Sequence, residues 1–276
     1  MAHDPSSHST HSTSSTNSPF DSQKSIPHVK HIIAVSSGKG GVGKSTVATN
    51  LALALGKKNK VGLLDADIYG PSIPRMLGAL NQKPTANEHN KLKPIIRYGI
   101  KLMSIGFLVE ESSAIVWRGP MLFKAIDQFL NDVLWDELDY LVVDLPPGTG
   151  DVQLSLAQKV LVSGVVTVCT PQNIALIDTK KSVDMWTRMG VKILGMVENM
   201  SYMKSPTGEK IQLFPKGDLD SYLDSKRITK LGEIPFNPSV SLGSEAGVPV
   251  VESQPQSAEA EVFFAIAEQI RTALPV

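Results

Sequence analysis

The sequence of 276 residues predicts an α/β fold: a doubly wound, mostly parallel sheet with helices on both faces. Three observations predict it. Short apolar runs recur from residue 31 onward, helix-length segments separate them, and a glycine-rich turn follows the first run. With 42% hydrophobic positions the chain can bury one sizeable core, so residues 28–276 are expected to form a single domain.

Residues 1–27, "MAHDPSSHSTHSTSSTNSPFDSQKSIP", are rich in Ser and Thr with almost no aliphatic content. Such a segment cannot bury enough surface to offset its ordering entropy, and a disordered tail is expected. It lacks an apolar signal core and any arginine, which argues against secretory and organelle-targeting leaders. The chain has one cysteine, Cys169, which excludes an internal disulfide and points to a reducing compartment, the cytoplasm. His3, His8, His11, His28 and His31 have no regular spacing and no cysteine nearby, so they are read as polar residues rather than metal ligands.

Lys plus Arg and Asp plus Glu number 27 each, so no global field draws in nucleic acid or anionic lipid; either partner would need a local patch. The longest apolar run, "VLVSGVVTVC", is broken by Ser163 and Gly164. It falls far short of the roughly 18 residues a membrane helix needs.

The expected strands, in order, are "HIIAVSS", "KVGLLDA", "GIKLMSI", "DYLVVDL", "GVVTVCT", "VKILGMVEN" and "ITKLGEI". In such sheets ligands bind beyond the carboxyl ends of the strands, where the motifs of this chain fall. The first strand runs into Gly38-Lys39-Gly40-Gly41-Val42-Gly43-Lys44-Ser45, which fits G-x-x-x-x-G-K-[ST] and leads into the helical "STVATNLALAL". Glycines let successive N–H groups face phosphate oxygens, and the helix N-terminus adds a favourable dipole. Lys44 is expected on the β and γ phosphates, Ser45 on Mg²⁺ and Thr46 on the α phosphate of ATP. This makes the fold a P-loop NTPase.

"YLVVDLPPGTGD" ends a buried strand with Asp144, which would hold a water of the metal, and Pro146, Pro147 and Gly148 to Gly150 then form a loop expected to move with the γ phosphate. The second strand ends in "LLDADIYGPS". Asp65 and Asp67, two apart on an extended segment, would point the same way. Asp67 is assigned to orienting the attacking water and Asp65 to the metal's surroundings, with capping of the helix at "IPRML" as the structural alternative for one of the pair.

Together "GKGGVGKST", "DADIYGPSIPRMLG", "VWRGPM", "DYLVVDLPPGTGD", "CTPQNIAL" and "GMVENMSY" resemble the Mrp/ApbC family of iron-sulfur cluster carriers, in the wider group of MinD, ParA and the nitrogenase iron protein. The likeness runs from about residue 30 to the C-terminus. It implies an ATP-bound homodimer in which the second lysine of the loop, Lys39, reaches the partner's phosphates. It further implies that Asn199 contacts adenine with Pro235 near the base; a buried capping role is the alternative for Asn199. Trp117 and Arg118 fit the family's "WRGP" without a physical role, packing being the default for the tryptophan.

One departure stands out. Members usually continue from "NMSY" into Cys-x-x-Cys, whose thiolates would bridge a cluster between subunits, whereas this chain reads "NMSYMKSPTGEKIQLFPKGD". Ser205, Thr207 or Gly208 stand where cysteines would be, and hydroxyls are poor ligands for cluster iron. Cys169, inside "VVTVC", reads as an inert buried side chain. Two functions therefore remain: an ATP-dependent cluster carrier or assembly factor with unusual ligands or a thiol-supplying partner, and a cluster-free switched scaffold whose loop at 203–217 binds a protein. A MinD-like membrane helix is disfavoured because "SAEAEVFFAIAEQIRTALPV" sets Glu259, Glu261 and Glu268 against Arg271 alone, and no basic cluster supports ParA-like DNA binding.

Overall fold

The computed structural model describes residues 23, 25–68, 70–108 and 119–276. The expected disordered tail therefore lies almost wholly outside the described residues, as do Trp117 and Arg118.

From the N-terminus, β1 (Val29–Ser37) leads through α1 (Lys44–Gly56) to β2 (Val61–Asp65), and the short α2 (Ile73–Met76) follows. A two-residue ribbon, β3 (Thr85–Ala86) with β4 (Leu92–Lys93), precedes β5 (Ile95–Arg97) and β6 (Ile100–Ser104). Then come α3 (Gly119–Asn131), β7 (Leu138–Asp144), α4 (Asp151–Lys159), β8 (Gly164–Cys169), α5 (Asn173–Arg188) and β9 (Ile193–Asn199). A second ribbon pairs β10 (Met203–Lys204) with β11 (Lys210–Ile211), and α6 (Leu219–Lys226), β12 (Lys230–Ile234), α7 (Pro238–Glu245), α8 (Val250–Ser253) and α9 (Ala258–Ala273) complete the chain.

Eight strands form one sheet in the order β12-β9-β8-β1-β7-β2-β6-β5, parallel except for the β5 edge, which runs antiparallel to β6. All seven apolar runs read from the sequence are strands of this sheet. Burial on both faces explains their continuous hydrophobicity, since β2 and β8 have no exposed residue. The antiparallel edge was not anticipated. It exists because Tyr98 and Gly99, at φ 49° and 81°, turn the chain back immediately after Arg97.

The crossover from β1 to β2 moves one way along the sheet, and those into β8, β9 and β12 move the other way. Right-handed crossovers then place α1 on one face and α4, α5 and α6 on the opposite one. The reversal falls at β1, so the loop after β1 opens into the crevice where ligands of such sheets bind. Helix α1 is apolar almost all round, with Val47, Leu51 and Leu55 fully buried, because it is covered by the sheet and by α9. Helix α9 spends its own apolar side internally, burying Phe263, Ile266 and Ile270. None of the described helices is long and apolar enough to cross a membrane.

Candidate nucleotide site

The loop after β1 is shaped by close approach. At Gly38 a Cβ would come 2.2 Å from the main-chain carbonyl carbon of Asp178 in α5, so the chain can run along that helix only without a side chain. Gly43 has φ 79° and a Cβ there would meet Asn199 Nδ2 at 2.2 Å. As the residue preceding α1 it also supplies no side-chain cap. The first N–H groups of α1 are thereby left for an external acceptor, which is the arrangement that favours an anion.

Charged groups converge in front of this helix end. Lys44 Nζ donates to Asp144 Oδ1 at 2.6 Å and lies 3.5 Å from Asp67 Oδ2, while Ser45 Oγ donates to Asp144 Oδ2 at 2.6 Å. Lys44 is 5% exposed and Asp144 is fully buried. Burial pushes the Asp144 carboxyl up from its ordinary range, against the pull of the Lys44 ammonium and the two donated hydrogen bonds. Register explains the meeting: β7 lies between β1 and β2 and ends at Asp144, opposite Val35 and Asp65. A cavity of about 200 Å³ opens here, lined by Lys39, Gly43, Lys44, Ser45, Thr46 and Asp67 among others. Lys39 is half-buried at its rim.

Asp65 differs from the expectation of two carboxylates aimed alike. The strand ends at Asp65, so the alternation does not extend to Asp67, which faces the cavity while Asp65 turns inward. The Asp65 carboxylate is fully buried and accepts from the Asp67 amide (3.2 Å), the Ile73 amide (3.3 Å) and the Ser104 hydroxyl (2.9 Å). Its position is the capping one, at the start of α2. Burial, and after it the negative charge of Asp144, pushes the Asp65 carboxyl up to about 8, with the Ser104 hydrogen bond opposing.

The loop after β7 is tied down by a residue that sequence reasoning missed. Gln153 in α4 donates through Nε2 to the carbonyls of Pro146 (2.6 Å) and Gly148 (3.2 Å), and its Oε1 is buried without a partner among the described residues. The Gly148 amide in turn donates to the Ser37 carbonyl at 2.9 Å. A Gln two residues after "PPGTGD" begins its helix was the available signal. Ser104 was missed too, although it ends a parallel strand where functional side chains gather.

Asn199 closes β9 opposite Ile234, the last residue of β12, and Pro235 follows directly after it. Asn199 Nδ2 donates to the Val42 carbonyl at 2.8 Å, which buries the amide against the phosphate loop. Cys169 is fully buried in β8, with its thiol donating to the Thr170 carbonyl at 3.1 Å and its pKa raised by burial. The ribbon of β10 and β11 carries Ser205 and Thr207, whose hydroxyls lie 2.8 Å apart. His31 stacks on Tyr140 and bonds the Pro275 carbonyl at 2.9 Å, while His3, His8 and His11 lie outside the described residues. The described residues hold no group of three or more His, Cys, Asp or Glu able to bind a metal.

Comparison with known proteins agrees with this geometry. The profile of the ParA family described as NUBPL iron-transfer P-loop NTPase matches residues 28–271. An iron-sulfur cluster carrier protein of Escherichia coli (strain K12) is 49% identical over 255 residues, covering 92% of this chain and 69% of the relative. The mouse iron-sulfur cluster transfer protein NUBPL is 47% identical over 252 residues, covering 90% of this chain and 79% of its own. A solved nucleotide-binding protein from Archaeoglobus fulgidus, in complex with ADP, is 38% identical with a TM-score of 0.74, over 87% of this chain and 93% of that one. A glycine-cradled helix end, a lysine and a serine on one buried aspartate, and matches spanning the whole sheet have a single explanation: the chain belongs to the Mrp/ApbC/NUBPL family of ParA-type P-loop NTPases.

Proposed function

We propose that this protein binds ATP with Mg²⁺, hydrolyses it slowly as a homodimer, and uses the cycle in iron-sulfur cluster assembly or transfer. One observation carries the reading: Lys44 and Ser45 both rest on Asp144 at 2.6 Å beside an uncapped helix N-terminus. In this arrangement Lys44 stands where a cation belongs. On arrival of a triphosphate it would exchange Asp144 for the β and γ oxygens, leaving Asp144 and Ser45 to hold Mg²⁺. The amides of Gly38, Gly40, Gly41, Val42 and Gly43 would face the phosphates, with Thr46 on the α phosphate.

Bound Mg²⁺ would supply charge neutralisation at the phosphates. Asp67, on the cavity wall, would orient the attacking water rather than deprotonate it early, because phosphoryl transfer depends chiefly on positioning. Lys39 would complete the partner's site. A cation supplied in trans accelerates such transfer by roughly 10³ to 10⁵, about 4 to 7 kcal/mol of barrier. One N–H of the Asn199 amide is given to Val42, so its contact with adenine would fall to the remaining N–H or the side-chain oxygen. Transfer of a cluster is supported by the names of relatives that share about half the sequence.

The hydroxyls at Ser205 and Thr207, in the ribbon where the family resemblance leads one to look for thiols, favour a second reading: a cluster-free switch whose ribbon binds a protein. Anaerobic reconstitution with iron and sulfide, read by absorbance and iron content, separates the two. Cluster bound by the protein alone supports carriage, and none supports the switch. For the dimer, sedimentation with ATP should give a dimer whose turnover is lost in Lys39→Ala; an ATP-bound monomer would overturn this part.

A further inference from the structure

Away from the nucleotide site, α5 and α6 enclose a groove of about 720 Å³ that ends at Gly190 and the start of β9. Lys180, Lys192 and the adjacent pair Lys226 and Arg227, from three separate parts of the sequence, converge on it, and all four are exposed. None forms an ion pair among the described residues. The lone carboxylate on the rim, Asp184, is occupied by Arg188 Nε at 2.8 Å. A chain with 27 cations and 27 anions thus gathers four cations without ion-pair partners among the described residues in one groove. Helix-dipole compensation accounts for Lys226 in the last turn of α6 but not for Lys180, in mid-helix, or Lys192, beyond the end of α5.

The floor is apolar. Val183 and Tyr222 form it, with Ile193 and Ile228 partly exposed beside them, and the Lys180 ammonium lies 5.1 Å from the centre of the Tyr222 ring. Positive rim and apolar floor together suit an extended segment whose side chains alternate between acidic and aliphatic, since successive residues point to opposite sides. From Lys180 to Gly190 the helix rises about 15 Å, a length spanned by roughly five extended residues. Nucleic acid fits less well. The one aromatic ring is 9% exposed and covered by Lys180, so it offers no face on which a base could stack.

The geometry points to this groove as a docking site for an acidic, aliphatic-containing segment of a protein partner. The same helix links it to the nucleotide loop: its other side carries the backbone of Asp178 and Thr179 against Gly38, and Ser182 Oγ lies 3.0 Å from Ser36 Oγ. Docking does not depend on the nucleotide assignment and is tested apart from it.

The test is fluorescence anisotropy of a labelled peptide of alternating Glu and Leu, about eight residues long, with full-length protein. A peptide with Lys in place of Glu and a short labelled DNA duplex serve as controls. The Glu-Leu peptide should bind, weaken at least tenfold in Lys192→Glu/Lys226→Glu, and weaken again when salt rises from about 0.05 to 0.5 M. Both substituted side chains are exposed, so the variant should keep the wild-type fold and ATPase rate, with a melting temperature lowered by no more than the reversed charge at the end of α6 accounts for. Equal binding to wild type and variant, or to the Lys-Leu control, overturns the site. So does a duplex that binds and displaces the peptide, which would make the groove a nucleic-acid surface.

Discussion

The phosphate corner and the β10–β11 ribbon sit at the same edge of the sheet and are built on opposite plans. In the corner, Lys44, Ser45 and Asp144 are engaged with one another before any ligand arrives, in surroundings where Asp144 has no exposure at all. The ribbon has two-residue strands, exposed Lys204 and Thr207, and light side-chain contacts: Ser205 Oγ with the Thr207 hydroxyl and the Glu209 amide, and Lys210 lying 4.1 Å above the Tyr202 ring and 3.5 Å from Glu233. A buried charge left without its partner costs several kcal/mol, whereas exchanges on an exposed ribbon cost tenths. The nucleotide machinery of this chain is therefore hard to alter piecemeal, while the ribbon that would carry cluster ligands can change identity freely.

The sharpest way to break that contrast is Lys44→Ala. It should abolish ATP hydrolysis, and it should also destabilise the nucleotide-free protein by about 3 to 5 kcal/mol through the orphaned Asp144. Urea unfolding and a phosphate-release assay read the two effects. Unimpaired turnover would sink the site assignment, and an unchanged unfolding midpoint would show that the corner is not held by its ion pair. The reciprocal change, Ser205→Cys with Gly208→Cys, rewrites the ribbon as Cys-x-x-Cys. Gly208 has φ 88°, so about 1 to 2 kcal/mol of strain is expected there, and Ser205→Cys gives up the bond from the Glu209 amide to Oγ. Reconstituted iron per chain should rise well above wild type with ATPase activity unchanged; loss of folding would mean the ribbon is more constrained than its contacts indicate.

The same contrast governs what could be read from sequence. The seven core strands were legible because apolar runs bounded by turns need no knowledge of partners, and the meeting of Lys44, Ser45 and Asp144 was legible because a glycine-rich turn after one strand and an aspartate ending another both fall at the carboxyl ends of the sheet. Asp65 was not. Its role depends on β6 placing Ser104 beside it and β7 placing Asp144 on its other side, and that register is a property of the assembled sheet. Gln153 was hidden for the same reason, since its two acceptors are carbonyls whose direction is set by the turn at Gly148. The antiparallel β5 edge rested on two positive φ angles at Tyr98 and Gly99 that only glycine hints at.

The remaining prediction concerns Asp65 and is a slope with pH rather than a loss. Its carboxyl is raised to about 8 in the fold, mainly by burial, against about 3.9 in an unfolded chain. Between those values the folded state keeps a proton that the unfolded state has released, so the stabilisation is full below about pH 4 and is lost as pH rises toward 8. The carboxylates that ion pairs depress, Glu137, Asp139, Asp220, Glu233 and Glu268, act with the opposite sign, and their contribution is lost only in acid. Above about pH 5 those groups are ionised in both states, which isolates the raised pair of Asp65 and Asp144. Asp65→Asn should keep an acceptor for Ser104 and Ile73, surrender the bond from the Asp67 amide at about 1 kcal/mol, and remove the titration. Urea midpoints should therefore fall from about pH 5 to about pH 8 in wild type and fall less steeply in the variant. Parallel lines for the two proteins would mean that Asp65 is ionised throughout, held by its three donors, and that the corner's charge is balanced by Lys44 alone.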